Sequence, residues 1–221
     1  MARQERAVRT RQKIIVAAAG VFDEVGYEAA TISQILKASG VTKGALYFHF
    51  TSKEELAQAV LAGQVAALPS VPERKVVLQR LIDEALVLAH LLALGDPMVR
   101  GGVRLTVEQG APLDGLDRQE PMRGWIEHCT ELLREAEARG ETLPDVDIDA
   151  AARIFVGGFT GVHVLSKIMT GHVGLVDWEM DLMRSLVAGV AVPAVFERLD
   201  FSSARASGVY REAVEEADAG R

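Results

Sequence analysis

The side chains best suited to chemistry stand in one short stretch, and that chemistry is recognition rather than bond-making. Thr42, Lys43, Gly44, Tyr47 and His49 follow one another at helical spacing. Thr42 can cap a helix, and the open backbone amides behind it favour phosphate or base-edge acceptors. Lys43 is one residue in, with the reach for guanine O6 and N7 in a major groove. Gly44 lets a backbone approach a duplex closely. Tyr47 and His49 offer a hydroxyl and an imidazole to phosphates at the far end. Arg6, Thr31, Ser33 and Lys53 complete the expected DNA-contacting set. Tyr47, Phe48 and Phe50 also read as core aromatics, and for Phe48 and Phe50 the core is the reading expected here.

A second set of residues fits a small-molecule site. Trp125 offers a flat apolar wall and one donor to a small molecule, although a lone tryptophan more often packs a core. Gly157, Gly158 and Gly161 weaken the helix over 154–165 and thin one side of it. Either a partner helix packs closely there or a cavity opens, with Thr160 and His163 as polar groups and Phe155 or Phe159 as an apolar wall. Gln64 can reach inward as a hydrogen-bond partner or sit on the surface. Nothing looks catalytic: there is no Walker sequence, nucleophile elbow or metal-spaced set, and Asp145, Asp147 and Asp149 read as caps. No enzyme activity, cofactor or metal is expected. Cys129 is the only cysteine, which excludes an intrachain disulfide and suits a reducing cytoplasm.

These residues need helices to hold them, and almost every segment has helical periodicity. Ile15, Ala18, Ala19, Phe22 and Val25 line a first helix that Gly26 ends. Thr31 with Gln34 forms a capping box for a second helix, which Gly40 stops. Thr42 caps a third, through about Phe48. Three short helices, the last two joined by Ser39-Gly40-Val41, are the layout of a helix-turn-helix. Ser52 with Glu55 opens a fourth helix that ends near Leu68-Pro69. Further helices are expected from Pro72 to about Leu94, 98–109, 121–139, about 147–170 and 177–199, with a loop over 110–119 and a flexible tail over 201–221. Val187, Val190, Ala191, Ala194 and Val195 fit a helix–helix seam. The expectation is an all-α chain: a helix-turn-helix DNA-binding domain over 1–55, a helical ligand-binding and dimerisation domain over 56–200, and the tail.

Charge supports that division. The 221-residue chain carries −7 overall, yet residues 1–55 hold eight Lys/Arg against six Asp/Glu, leaving −9 for the rest. An acidic protein with a basic arm is built for a local polyanion contact, while a sequence-independent architectural DNA protein would be basic throughout. The uncharged runs over 154–166 and 185–196 are too short for membrane spans, and the apolar run after the basic arm is closed by Asp23-Glu24, so no membrane partner or secretion signal is expected.

The run from Gly26 to Lys53, and above all Lys43-Gly44-Ala45-Leu46-Tyr47-Phe48-His49-Phe50, resembles the DNA-binding domain of the TetR family of repressors. More narrowly, the opening Met1-Ala2-Arg3-Gln4-Glu5-Arg6-Ala7, the string from Val41 to Phe50 and Trp125 in its Gly-Trp-Ile-Glu setting resemble the γ-butyrolactone autoregulator receptors of actinomycetes. The resemblance implies a cytoplasmic homodimer on palindromic operator DNA, with a four-helix interface built from the last two long helices of each subunit. It also implies a hormone-like ligand at Trp125, a γ-butyrolactone or butenolide, whose binding releases the operator and controls secondary metabolism. The alternative is a repressor of an efflux or other metabolic gene with a different hydrophobic ligand.

Overall fold

A computed structural model describes residues 2–107 and 115–219; residues 110–114 of the expected loop lie outside the described residues. The chain is all-α. Its helices are α1 (Ala2–Ala29), α2 (Ile32–Ser39), α3 (Lys43–His49), α4 (Lys53–Ala66), α5 (Val77–Leu94), α6 (Pro97–Val107), α7 (Gln119–Ala138), α8 (Ile148–Thr170), α9 (Leu175–Ala188), α10 (Pro193–Phe196) and α11 (Ala206–Ala219). No strand occurs among the described residues, only one backbone bridge between Thr142 and Ala191.

The helices gather into two compact units, and the first is discontinuous: residues 1–67 and 95–122. It thus runs past residue 55 to take in α4, and the chain returns to it for α6. Its core joins Phe22, Ile35, Leu46, Phe50 and Leu61 to Met98 and Leu105 of α6. Gly26, at φ 80°, breaks α1 one turn before its end. Two glycines let α6 nest between its neighbours. A methyl on Gly101 would sit inside the Ala19 carbonyl of α1, and one on Gly102 would strike Gln64 of α4. Arg104 of α6 also donates to the Asp23 carbonyl.

The second unit holds residues 68–94 and 123–221, in which α9 and α11 pack on α5 and α8 packs on α9. α5 begins at Val77 rather than Pro72, because its cap comes from far along the chain: the buried Glu141 carboxylate accepts from the Val77 and Leu78 amides at 3.0 Å each. The helix expected over 177–199 ends at Ala188, and Pro193 starts the short α10. Over its described residues the expected tail holds a helix, α11. Phe201, Ala206, Val209 and Ala213 are buried, and Arg205 reaches Asp83 of α5 at 2.8 Å while Arg74 bridges Asp83 and Glu212. Of the expected seam, Val187, Val190 and Ala191 are buried inside this unit, whereas Ala194 is exposed and Val195 half-buried. Among the described residues of this unit, the large apolar side chains left exposed are Leu94 at the end of α5 and Ile154, Leu165, Ile168, Met169 and Val173 on α8 and just beyond it. By length and composition α8 is apolar enough to cross a membrane, but Ile148, Ala152, Phe155 and His163 on its other face are buried in the protein.

Candidate functional site

The recognition helix is set by local capping. The Thr31 hydroxyl accepts from the Gln34 amide while the Gln34 side chain takes the Thr31 amide, so α2 starts with a complete capping box. Gly40 takes the left-handed conformation, φ 63°, that the turn needs. Thr42 then caps α3, its hydroxyl accepting from the Ala45 amide at 3.2 Å. Leu46 and Phe50 anchor the inner face of α3 with no exposed surface.

The outer face presents side chains expected to contact DNA. Thr42, Lys43, Gly44 and Tyr47 are exposed and His49 is half-exposed. The Lys43 ammonium stands 5.9 Å from the Tyr47 ring centre, which aligns the two side chains on one face. Arg6, Thr31 and Ser33 are exposed on α1, at the α2 cap and in α2's first turn. Two expectations fail. Phe48 is 80% exposed, not core, and its ring meets the His49 imidazole edge-on at 5.0 Å. An aromatic that large on an exposed helix face is a candidate contact for base methyl groups. Lys53 points inward: its ammonium donates to the carbonyls of Tyr27, Glu28 and Ala30 at 2.8, 3.3 and 3.2 Å and lies 4.4 Å from the Tyr27 ring centre. Those carbonyls end α1, so Lys53 clamps the scaffold rather than reaching for phosphate.

Arg9 and Lys13 add to the positive face. They line an open groove between α1 and α2 with Gln12, Ala38 and Ser39. The Lys13 ammonium comes within 3.8 Å of where a side chain on Gly40 would begin, beside the turn before α3.

The residues expected to hold a ligand divide between the units. Gln64 is in the first, buried, with its amide donating to Thr106 Oγ1 at 3.4 Å, so it is no surface glutamine. Trp125, Phe159, Thr160 and His163 are in the second. Trp125, Phe159 and Thr160 are half-buried and His163 is buried. The Thr160 hydroxyl donates to the Val156 carbonyl within α8. The three glycines of α8 separate in role. A side chain on Gly158 would meet Leu182 at 3.1 Å, so α9 packs closely there, whereas Gly157 and Gly161 face open space.

The sequence reading missed Glu179. It lies on the buried face of α9, and burial pushes its carboxyl up to about 8. A sign was present: Glu179 stands between Leu175 and Met183 on an otherwise apolar stripe. Cys129 is buried and its thiol is likewise pushed up by burial, to about 12, so it is inert at neutral pH.

Residues 14–60, which include α2 and α3, match the family described as "Bacterial regulatory proteins, tetR family". The chain is 39% identical to the A-factor receptor protein of Streptomyces griseus over 199 residues, 90% of this chain and 70% of that protein. Its fold is similar to the crystal structure of full-length native TylP, a TetR regulator from Streptomyces fradiae, at TM-score 0.89 and 62% identity, covering 94% of this chain and 99% of that one. A γ-butyrolactone receptor described as ArpA-like matches at TM-score 0.69 and 30% identity, covering 94% and 99%.

Proposed function

The chain belongs to the TetR family of bacterial regulatory proteins, and we propose that it is a cytoplasmic repressor released from its operator by an alkylated γ-butyrolactone or butenolide. Regulators of this family bind operator DNA, act as dimers and take small-molecule ligands; they are transcriptional regulators, not enzymes. For DNA, the reading rests on the outward face of α3. Lys43 reads a base edge, Tyr47 and His49 hold phosphates, and Thr31, Ser33 and Arg6 flank them. Phe48 joins this set, while Lys53 supports it from behind.

The observation that carries the ligand class is the likeness to the A-factor receptor and to a γ-butyrolactone receptor along nine-tenths of the chain. Half-buried Trp125 supports it, because an indole neither locked in a core nor free in water suits a ring-and-tail ligand. The mechanism is a population shift. Ligand favours a conformation in which the two recognition helices of the dimer no longer match successive major grooves, and operator affinity falls. Secondary metabolism is the process such a signal would govern.

Fluorescence tests this directly. The chain has two tryptophans, so Trp178→Phe leaves Trp125 as sole reporter. An alkylated γ-butyrolactone should change its emission saturably and free a retarded operator fragment over the same concentrations. Trp125→Ala should hold DNA normally yet resist release. Undiminished release of that variant would move the pocket away from Trp125.

A further inference from the structure

Asp83 shows what the second unit does with a buried carboxylate. At 0% exposure it receives Arg74, Arg205 and the Gln79 amide, so both oxygens are satisfied. Glu179 is buried to the same degree, yet neither of its oxygens has a hydrogen-bond partner. A dry, unpaired acid is destabilising where a methionine or leucine would pack. Fold stability alone gives no reason for this one.

Glu179 has neighbours by register. The short turn at 171–174 makes α8 and α9 antiparallel. A side chain begun at Gly158 would meet Leu182 at 3.1 Å and Leu186 at 3.5 Å, which fixes the alignment. Gly158 thus lies level with the midpoint of these two leucines, and going on along α8 to His163, and the same number of residues back along α9 from that midpoint, sets Glu179 and His163 at one level of the pair. His163 is buried, and its ring stacks on that of His172 at 4.9 Å with 23° between planes. His172 is itself buried and sits in the turn at φ 73°, a left-handed backbone that a residue with a Cβ adopts only under strain. The turn bears that strain with the imidazole held inside. No three His, Cys, Asp or Glu side chains converge on a metal position among the described residues.

We propose that Glu179, with His163 and His172, is the polar end of the effector site, where the carboxylic acid exchanges hydrogen bonds with the oxygen groups of an uncharged ligand bearing a carbonyl or hydroxyl beside an alkyl body. This rests on the ligand class given above and adds the group that reads the ligand's head. Because burial holds the acid protonated at neutral pH, it supplies a donor and an acceptor, where a carboxylate would only accept. Phe159, one turn before His163 on the same face of α8, provides an apolar wall for the ligand's body. A bound ligand would satisfy an acid that the empty protein leaves unpaired. Its affinity would therefore depend on which arrangement of α8 and α9 presents that acid.

The test uses the full chain and its Glu179→Gln and Glu179→Met variants, each with γ-decalactone, octanol and octylamine as probes. Melting temperature reads binding and operator retardation reads release. All three proteins should bind operator alike, and Glu179→Met should melt no lower than wild type. Glu179→Gln keeps a donor and an acceptor and should respond within about threefold of wild type, while Glu179→Met should need at least about tenfold more lactone or alcohol, the loss of one hydrogen bond. Equal sensitivity of Glu179→Met overturns the assignment. So does a wild type shifted by the amine alone, or by none of the probes. If octanol shifts wild type but not Glu179→Met while the lactone shifts neither, the lactone class fails and Glu179 keeps its role.

Discussion

Lys43 and Lys53 carry the same charge in opposite settings. Lys43 stands exposed over Tyr47 on the outer face of α3, whereas Lys53 spends its donors on three carbonyls at the end of α1. Lys43→Ala should therefore leave the melting temperature unchanged and weaken specific operator binding by about 1–3 kcal/mol per half-site. Lys53→Ala should lower stability by about 1.5–3 kcal/mol, as expected for a charge-assisted hydrogen bond, and lose operator affinity only through that. Thermal melts beside retardation assays separate the two. The sequence could not, since both lysines belong to one recognisable string and only the fold turns one inward. Phe48 was misread for a related reason: neighbouring aromatics in a short helix point to different faces, and Leu46 and Phe50 took the inner one. Glu179 gives a pH dependence whose sign follows from burial. Its folded pKa is raised from 4.5 to about 8, so the native state keeps a proton that the unfolded chain releases. The stability this contributes is fully present below about 4.5 and is lost as pH rises through 8. Denaturant melts of wild type and Glu179→Gln should diverge as pH rises from 4.5 to 8, the variant gaining, and run parallel above. Parallel curves throughout would mean that Glu179 is ionised in the fold.

Several helix starts were legible because the cap lies three residues from the amide it holds, as with Thr31, Thr42 and Asp147. The start of α5 was not, because Glu141 caps it across 63 and 64 residues of sequence. Nor was α11, whose buried Ala206, Val209 and Ala213 are small residues in a polar stretch that carries no strong periodicity. Gly101 was equally silent, since a glycine inside a helix reads as a weakness until its neighbour is known. Here the neighbour is the backbone of α1. Gly101→Ala should destabilise the protein at the upper end of about 1–3 kcal/mol, because two helices must part to admit a methyl. Gly124→Ala in α7 meets nothing within 4 Å and should gain about 0.5–1 kcal/mol from helix propensity instead. If both variants melt alike, the close approach of α1 and α6 is not tight.

For the molecule as a whole, an all-α chain opening on a helix-turn-helix was readable from periodicity and turn residues, but the return of the chain to its first unit for α6 was not. The sequence reading drew a seam along Val187, Val190, Ala191, Ala194 and Val195 and, from the resemblance, an interface on the last two long helices; the second unit buries Val187, Val190 and Ala191 for itself, while Ala194 is exposed and Val195 half-buried. Ile154, Leu165 and Ile168 instead share one exposed face of α8 with Gly157 and Gly161, around which nothing else packs. Ile168→Glu should accordingly yield a monomer in sedimentation, folded but weak on a palindromic operator, since each half-site would then be bound alone. A variant that sediments as wild type would place the pairing surface elsewhere. The discontinuity of the first unit has a further consequence, in the order of synthesis. When residue 67 leaves the ribosome, α1 to α4 are present, but Met98 and Leu105, which complete their core, are not. Before α6 can arrive, α5 must emerge with Leu78, Ile82 and Leu86, whose partners on α9 and α11 come roughly a hundred residues later. The nascent chain therefore passes through a stage in which its first unit is unfinished and an apolar helix of its second is already exposed, the stage at which aggregation competes with folding.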